Sequence, residues 1–259
     1  MTQSRESVTP SAASALRLTF LGSGDAFGSG GRGQTCMHVT GAERSFLVDC
    51  GPSALPAMRR LGVDPNDVEL VLLSHLHGDH FGGLPFLLLD AELPSRRTNP
   101  LTIAGPAGTL ERLRQAMEVL FPGAWRERWR FPLEIVELEP ERRNEVGGLT
   151  VTPYVVSHPS GAPPLALRIE VDGRVVAFSG DTEWTPALSS VADGADLLVV
   201  ESYTFDQPVP YHLDYRTLMR HAPELRAKRL VVTHMSAEML DRVGGLDCEY
   251  AEDGKRLEL

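Results

Sequence analysis

The stretch SHLHGDH, at residues 74–80, places three histidines and an aspartate within six consecutive positions. It directly follows an apolar run that is typical of a buried strand. His75 and His77 are two residues apart, so in an extended chain their side chains point the same way. A glycine then allows the chain to turn before the last aspartate and histidine. This pattern at a strand end predicts metal binding rather than a polar loop of solvated histidines.

The four side chains are too crowded to surround a single tetrahedral ion. Two neighbouring ions relieve the crowding if His75 and His77 face one ion while Asp79 and His80 face the other. Each ion then lacks ligands, and these must come from later in the chain.

The missing ligands have candidates at the ends of later strands. His158, Asp181 and His234 each follow a strong apolar run. Asp181 has an alternative interpretation as a turn residue or a helix N-cap. His38, in an early strand, and His221, near a helix end, do not share the pattern, and we interpret both as structural or solvated.

Short apolar strands alternate with turns and helices from Leu16 onward, in two halves of similar style. The sequence VDGR at 171–174 predicts a hairpin in the second half. We therefore predict one α/β domain over residues 16–259, made of two packed sheets with helices outside. The predicted strands are 16–21, 44–50, 69–74, 149–157, 165–171, 174–180, 196–202 and 228–234. The predicted helices are 52–62, 83–92, 107–121, 185–192, 214–222 and 236–242.

Composition narrows the class of protein. A formal net charge of −10 disfavours a protein whose whole surface binds nucleic acid, although a local basic patch stays open. Cys36, Cys50 and Cys248 form no C-x-x-C pair, which predicts free thiols and a cytoplasmic protein. Residues 1–15 are polar and lack the apolar segment of a signal peptide, so we expect a disordered tail. No apolar run is long enough for a membrane span.

SHLHGDH with a later histidine, an SGDT aspartate and a final THMS histidine resembles the metallo-β-lactamase fold. The resemblance implies a four-layer αβ/βα sandwich with a two-metal site at one edge of the sheets. The implied cofactors are two divalent ions, Zn²⁺ in the first place, although Mn²⁺ and Fe²⁺ accept the same donors. The implied ligands are His75, His77 and His158 for the first ion, Asp79, His80 and His234 for the second, and Asp181 as the bridge.

The flanking sequences resemble the ribonuclease Z-like branch of that fold. In this branch a glutamate after a strand pairs with a later histidine beside the metals, and Glu201 and His212 match those positions. The histidine segment reads H-L-D here, where the tRNA-processing enzymes typically show H-S-T. The matching segments are FLGSGDAFGSGGRGQT (20–35), FLVDCG (46–51), GP-x-G (105–108), VVESYTF (199–205) and YHLDYRTL (211–218).

Phosphodiester hydrolysis gives these residues a role. Two divalent ions can clamp the ester and supply a bridging hydroxide, and Asp79 is counted with the catalytic residues as well as with the ligands. The reaction then needs a proton for the leaving alkoxide or a positive charge beside the phosphoryl oxygens, and a His212 imidazolium paired with Glu201 can provide either. The alternative is that His212 caps the helix that starts near Asp214.

Two further segments have a supporting role. Asp49 is expected to accept a hydrogen bond behind the histidine loop rather than to bind metal. The glycine-rich loop at Gly22–Gly33 either offers amides to a phosphate or forms a flexible rim.

A tRNA substrate is disfavoured. Long-form binding in the resembled branch uses an arm inserted between the third histidine and the bridging aspartate, and only a hairpin separates His158 from Asp181. The segment FPGAWRERWRF at Phe121–Phe131 could stack bases, since arginines alternate with tryptophans there. Its large apolar residues recur every four positions, however, and this favours the buried face of a helix.

The leading hypothesis is a metal-dependent phosphodiesterase that acts on a small or cyclic phosphodiester. The alternative is a hydrolase of a carbonyl substrate, namely a lactone, thioester or β-lactam, on the same metal site. A third class, a metal-bound protein without hydrolytic activity, stays open. The expected partner is a small-molecule substrate, with no membrane, and the sequence leaves a homodimer open.

Overall fold

Residues 16–42, 44–126 and 128–259 are described by a computed structural model, and their strands form two sheets of seven. The tail expected at residues 1–15 lies outside these ranges. In chain order the first sheet contains β1 (Arg17–Gly22), β2 (Cys36–Thr40), β3 (Ser45–Val48), β4 (Leu70–Leu72), β5 (Leu101–Gly105) and β6 (Leu133–Glu137). The second contains β7 (Asn144–Val146), β8 (Leu149–Val155), β9 (Leu165–Val171), β10 (Arg174–Phe178), β11 (Leu197–Glu201), β12 (Leu230–Thr233) and β13 (Glu249–Tyr250).

The last strand, β14 (Arg256–Glu258), returns to the first sheet and pairs antiparallel with β1, so the sheet orders are 14-1-2-3-4-5-6 and 13-12-11-10-9-8-7. The α-helices are α1 (Ala54–Leu61), α2 (Gly78–Phe81), α3 (Leu84–Glu92), α4 (Thr109–Leu120), α5 (Ala187–Ala192), α6 (Tyr215–His221) and α7 (Ala237–Leu240). None of these described helices has the length and apolar character that a membrane crossing requires.

The protein has four structural layers, which are the two sheets and a layer of helices outside each sheet. An apolar cluster lies between each pair of neighbouring layers. Side chains from both sheets, such as Phe20 and Phe178, form the central cluster. A second cluster, including Met58 and Leu88, lies between the first sheet and α1, α3 and α4. A third, including Leu218, lies between the second sheet and its helices. Because each fully buried side chain of this kind contributes about 1.5–3 kcal/mol, the layers stabilise one another. The predicted α/β fold, a four-layer αβ/βα sandwich, is confirmed.

The sequence VDGR forms the predicted hairpin. β9 and β10 are antiparallel, with Val171 opposite Arg174. Asp172 and Gly173 have φ values of 49° and 73°. Positive φ at both central residues matches the right-handed twist of the flanking strands, which is why an Asp-Gly pair is favoured there.

Parallel strands meet at one edge of the molecule. In the first sheet β3, β4, β5 and β6 are parallel, and in the second β10, β11, β12 and β13 are parallel. Their C-terminal ends therefore lie side by side, which is where loops of α/β sheets bring polar side chains together.

The predicted helix at Phe121–Phe131 is wrong. Pro122 and Gly123 interrupt the helical conformation, since Gly123 has a φ of 87°. A single 3₁₀ turn at Ala124–Arg126 follows. The prediction of apolar cover holds in part. Phe121, Trp125 and Trp129 are partly buried and pack against the second cluster, which lies between the first sheet and its helices. The arginines at 126 and 130 form ion pairs with the glutamates at 118 and 92.

Candidate metal centre

Three strand ends turn through left-handed backbone before they reach the site. Asp49 after β3, Gly180 after β10 and His234 after β12 have φ values of 58°, 59° and 57°. Only glycine adopts this region without cost, and a non-glycine residue held there is common at functional sites. A Cβ at Gly180 would lie 2.8 Å from the Leu165 carbonyl oxygen. The turn at Gly180 directs Asp181, and the turn at His234 directs its own imidazole, toward the candidate site.

His75, His77 and His158 form the first group, with one ring nitrogen of each within 4.8 Å of the others. His77 Nε2 lies 3.2 Å from the Pro159 carbonyl, and His158 Nδ1 lies 3.0 Å from the Tyr211 carbonyl. Because a carbonyl only accepts, both of these nitrogens carry the hydrogen. His77 Nδ1 and His158 Nε2, 3.0 Å apart, then face each other with lone pairs. Such a pair repels unless a cation lies against both.

Asp79, His80, Asp181 and His234 form the second group. His80 Nε2 lies 3.3 Å from Asp79 Oδ2 and 3.2 Å from Asp181 Oδ1. His234 Nε2 lies 3.2 Å from Asp79 Oδ2 and 3.4 Å from Asp181 Oδ2. Two imidazoles and two carboxylates thus converge from both sheets.

Asp181 lies between the two groups. Its Oδ2 is 3.8 Å from His75 Nε2 and 3.9 Å from His158 Nε2, in addition to its contacts with the second group. His75 Nε2, His80 Nε2 and Asp181 Oδ1 are buried without a hydrogen-bond partner. Buried polar atoms left unpaired in this way cost about 1–3 kcal/mol each. Convergent unpaired nitrogen and oxygen donors are what a divalent ion of the Zn²⁺, Mn²⁺ or Fe²⁺ type requires, so the residues fit a metal.

Electrostatics give His75 and Asp181 the protonation states that metal binding needs. At His80 and His234 burial lowers the pKa, but the neighbouring carboxylates, Asp181 first among them, together outweigh burial and raise the pKa, so a metal ion has to displace their protons. Burial, together with the neighbouring His80, holds the pKa of His75 well below its ordinary value, so its imidazole is neutral. Burial opposes the charge of Asp181, but His234 and His80 beside it hold the pKa of Asp181 well below the usual range. Neutral imidazoles and ionised carboxylates are the forms that bind cations.

Glu201 and His212 lie beside the two groups. Glu201 is fully buried, and its Oε2 accepts a hydrogen bond of 2.9 Å from His212 Nδ1. One-fifth of the His212 side chain is exposed (20%), and its ring centroid lies 4.9 Å from that of His158. Helix α6 is capped by the Asp214 side chain, which accepts from Thr217 N at 2.8 Å. The alternative in which His212 caps this helix is therefore wrong.

Residues 44–235 match the sequence model of a family described as the Beta-lactamase superfamily domain. The chain belongs to the beta-lactamase superfamily. The resemblance identified from the sequence is thereby confirmed. Superfamily membership explains why the fold brings histidines and aspartates from both sheets to one edge.

Curated relatives in the superfamily carry ribonuclease names. The chain is 26% identical to Ribonuclease BN of Erwinia tasmaniensis in an alignment of 291 residues, gaps included. The alignment covers 90% of this chain and 92% of that protein. It is 28% identical over 247 residues to Ribonuclease Z of Mycobacterium bovis, covering 85% of each. The predicted enzyme class, a hydrolase of this superfamily with a ribonuclease Z-like sequence, agrees with the family and with these names.

Solved structures share the fold. The metallo-beta-lactamase fold protein YhfI from Bacillus subtilis has a TM-score of 0.77 at 21% identity, over 95% of this chain and 100% of that one. A diphosphatase from the PhnP family has a TM-score of 0.77 at 20% identity, over 95% and 97%. The short form of human tRNase Z has a TM-score of 0.75 at 24% identity, over 93% and 98%. At these identities the likeness concerns the fold.

Asp49 lies behind the SHLHGDH loop, where the sequence analysis expects it. It is fully buried and accepts from Ser74 N and Ser74 Oγ, both at 2.8 Å. Its Oδ2 also accepts from His80 Nδ1 at 2.6 Å. Asp49 therefore fixes the tautomer in which His80 Nε2 faces Asp79 and Asp181 in the candidate metal centre.

An Asp49→Asn protein should bind Zn²⁺ about 10–100-fold more weakly, because the amide no longer orients and polarises His80. Competition with a chromophoric chelator measures this affinity. Asp241→Asn, a change at an exposed aspartate, is the matched control. Wild-type affinity in the Asp49 variant would contradict the orienting role.

Tyr203 is a residue of the site that sequence reasoning missed. Its ring centroid lies 4.8 Å from that of His212 and 6.1 Å from that of His234. The motif VVESYTF contains this tyrosine, but nothing in the motif indicates which way its ring faces. Burial and the nearby Asp25 raise the pKa of Tyr203.

The glycine-rich loop Gly22–Gly33 is anchored within the protein. Asp253 accepts from the amides of Ser23 and Gly33, and Asp25 accepts from two amides of the loop itself. The interpretation as a phosphate cradle loses support, because most of its amides are already paired. The amides that donate within the protein are those of Ser23, Gly24, Phe27, Gly28, Ser29, Gly31, Arg32 and Gly33.

Other sequence alternatives are settled by position. His38 pairs with Ser45 away from the site, and His221 stacks on Trp184 with a centroid distance of 4.0 Å, so neither joins the centre. The helix after Asp181 begins at residue 187, too far along for Asp181 to cap it.

Proposed function

We propose that this protein is a dinuclear metal-dependent phosphodiesterase that acts on small or cyclic phosphodiesters, with residues 16–259 as one catalytic domain. The observation that carries the proposal is the hydrogen bond between buried Glu201 and His212 beside the metal centre. A hydrolase that only polarises a carbonyl group needs no such pair, whereas a phosphodiester with a poor leaving group does.

In this proposal the two groups hold two divalent ions, most simply Zn²⁺. The two groups are separate sets of donors, and Asp181 contacts members of both. This arrangement supports two ions rather than one. When bound, the ions neutralise phosphoryl charge and lower the pKa of an attacking water. His75, His77 and His158 would hold the first ion and Asp79, His80 and His234 the second, with Asp181 placed to be shared between them.

His212 serves the leaving group. Its Nδ1–H donates to Glu201, so the Nε2 atom is left to face the substrate. Proton transfer from Nε2 to the departing alkoxide oxygen returns the imidazole to its neutral form with Nδ1–H still held. Glu201 fixes the plane of the ring, and its carboxylate would stabilise the imidazolium against burial, which lowers the pKa of His212 and raises that of Glu201.

Three features favour a small substrate. The span from His158 to Asp181 is occupied by the β9–β10 hairpin, and it carries no protruding arm among the described residues. Arg126 and Arg130 are engaged by acidic partners, which removes charge from the best candidate for RNA contact. The formal net charge of −10 also opposes a polyanion.

A ribonuclease is the second candidate, and the names of the curated relatives favour it. The chemistry at the metal centre is the same, and the two candidates differ in what binds around it. A carbonyl hydrolase is the third, since the same ions can polarise a lactone or thioester carbonyl group.

Purified protein loaded with Zn²⁺ or Mn²⁺ should hydrolyse bis-(p-nitrophenyl) phosphate and a 2′,3′-cyclic nucleotide faster than a lactone. Product absorbance and chromatography measure the rates. A precursor tRNA transcript and a homoserine lactone, run under the same conditions, test the second and third candidates. The proposal is overturned if metal-loaded protein turns over no phosphodiester.

A further inference from the structure

Tyr203 packs against the imidazoles on the open side of the site. Its ring is inclined by 33° to the ring of His212 and by 43° to that of His234. Among the described residues it is the non-histidine aromatic side chain that contacts both imidazoles. The ring of Tyr203 therefore lies against the residue proposed to serve the leaving group.

The backbone of Tyr203 is fixed from both sides. Its amide donates to the Leu213 carbonyl at 2.8 Å, next to His212. Its carbonyl accepts from Ser236 N at 2.9 Å, in the turn that follows His234. Because its backbone is held between two loops of the site, Tyr203 needs little further ordering when a ligand binds.

The phenolic hydroxyl has no hydrogen-bond partner among the described residues. The nearest acidic candidate, Asp25, already accepts from Phe27 N and Ser29 N through Oδ1 and from Ser29 Oγ through Oδ2. Tyr203 is only partly buried. A phenol carries its hydrogen at neutral pH and is a hydrogen-bond donor.

We propose that the Tyr203 hydroxyl donates a hydrogen bond to a non-bridging phosphoryl oxygen of the substrate. The inference rests on the proposed phosphodiesterase function and adds a catalytic residue to it. Charge on that oxygen grows as the water attacks, so a fixed neutral donor stabilises the transition state more than the ground state. No proton is transferred, which separates the role of Tyr203 from that of His212.

The two roles predict different dependences on the leaving group. Tyr203→Phe should lower kcat/KM about 10–100-fold, because one preorganised donor is lost. This factor should be nearly constant across methyl aryl phosphates whose aryl groups range from p-nitrophenol to phenol. The His212→Ala factor should instead increase as the leaving phenol becomes more basic.

Binding gives a readout that does not depend on turnover. Orthovanadate binding, measured by isothermal titration calorimetry, should weaken about 5–10-fold in Tyr203→Phe, as expected for one lost hydrogen bond of about 1–1.5 kcal/mol. Bound metal should stay at the wild-type level. Tyr250→Phe, a partly buried tyrosine on β13, is the matched control and should match wild type in every assay.

Three results would overturn the inference. The first is a Tyr203→Phe protein with wild-type rates and wild-type vanadate binding. The second is a loss of kcat/KM in Tyr203→Phe that rises with leaving-group basicity, and the third is a loss of metal in this variant. The last two would make Tyr203 a positioning residue for His212 or the ligands. If wild-type protein cleaves no phosphodiester, the proposed function fails by itself, and the vanadate comparison still decides whether the phenol binds a phosphoryl-like oxygen.

Discussion

Replacing His212 with alanine should lower kcat for an alkyl-leaving phosphodiester by about 10²–10⁴-fold while the protein keeps its metal ions. The imidazole is held by Glu201 at 2.9 Å and is not one of the seven proposed ligands, although one of its nitrogens lies within 4.8 Å of donor atoms of His158 and Asp181. Its loss should therefore remove a proton donor and leave both proposed ligand groups complete. Glu201→Gln should give a smaller loss, because the amide still contacts the ring but no longer stabilises its charge.

Steady-state rates, with metal content measured by mass spectrometry, provide the test. His221→Ala is a close control, because His221 Nδ1 also contacts a glutamate, Glu224, at 2.7 Å, but at the surface. It should retain wild-type rates. A fall in bound metal in His212→Ala, or an unchanged rate on substrates with basic leaving groups, would remove His212 from its proposed role. A lactone activity that survives the substitution would favour the carbonyl alternative.

Replacing Asp181 with asparagine should abolish activity almost completely, by about 10³-fold or more, which corresponds to about 4 kcal/mol of activation free energy. The amide preserves the shape of the side chain but removes the charge that lies between the two groups. Two cations close together then lose the carboxylate that offsets their mutual repulsion. We expect the variant to retain at most part of its metal.

Metal content after dialysis and thermal unfolding with and without Zn²⁺ measure the effect. Wild-type protein should gain thermal stability with Zn²⁺, because an ion that binds the native state stabilises it. The Asp181 variant should lose most of that gain, whereas the surface variant Asp241→Asn should keep it. A full metal complement in Asp181→Asn would argue against a bridging role.

Much of the centre could be predicted from the sequence, because each ligand follows an apolar strand directly. SHLHGDH is local, and its crowding indicates that other ligands are needed. His158, Asp181 and His234 are distant in sequence, but parallel strands end at a common edge, so strand ends are the right places to look for them. The hairpin at 171–174 could also be predicted, because an Asp-Gly pair favours the positive φ values of a two-residue hairpin turn.

Features that depend on packing between distant segments could not be predicted. The orientation of Tyr203 depends on backbone contacts with two other loops. The hydrogens of His77 and His158 are set by carbonyl groups of Pro159 and Tyr211, which no spacing rule identifies. The helix expected at 121–131 failed because a four-residue repeat of large side chains also fits an irregular segment lying on a core, and a Pro-Gly pair outweighed the repeat.

The pairing of β14 with β1 has a consequence for folding. Arg17 lies opposite Glu258, and Leu16 accepts a hydrogen bond from Leu259, so segments 241 residues apart in the sequence have to meet before the first sheet is complete. While β14 is detached, β1 presents an unpaired edge, and Asp253 does not anchor the loop beside His234. Because contacts between distant segments form slowly, we expect this edge and this loop to be among the last parts of the protein to become ordered.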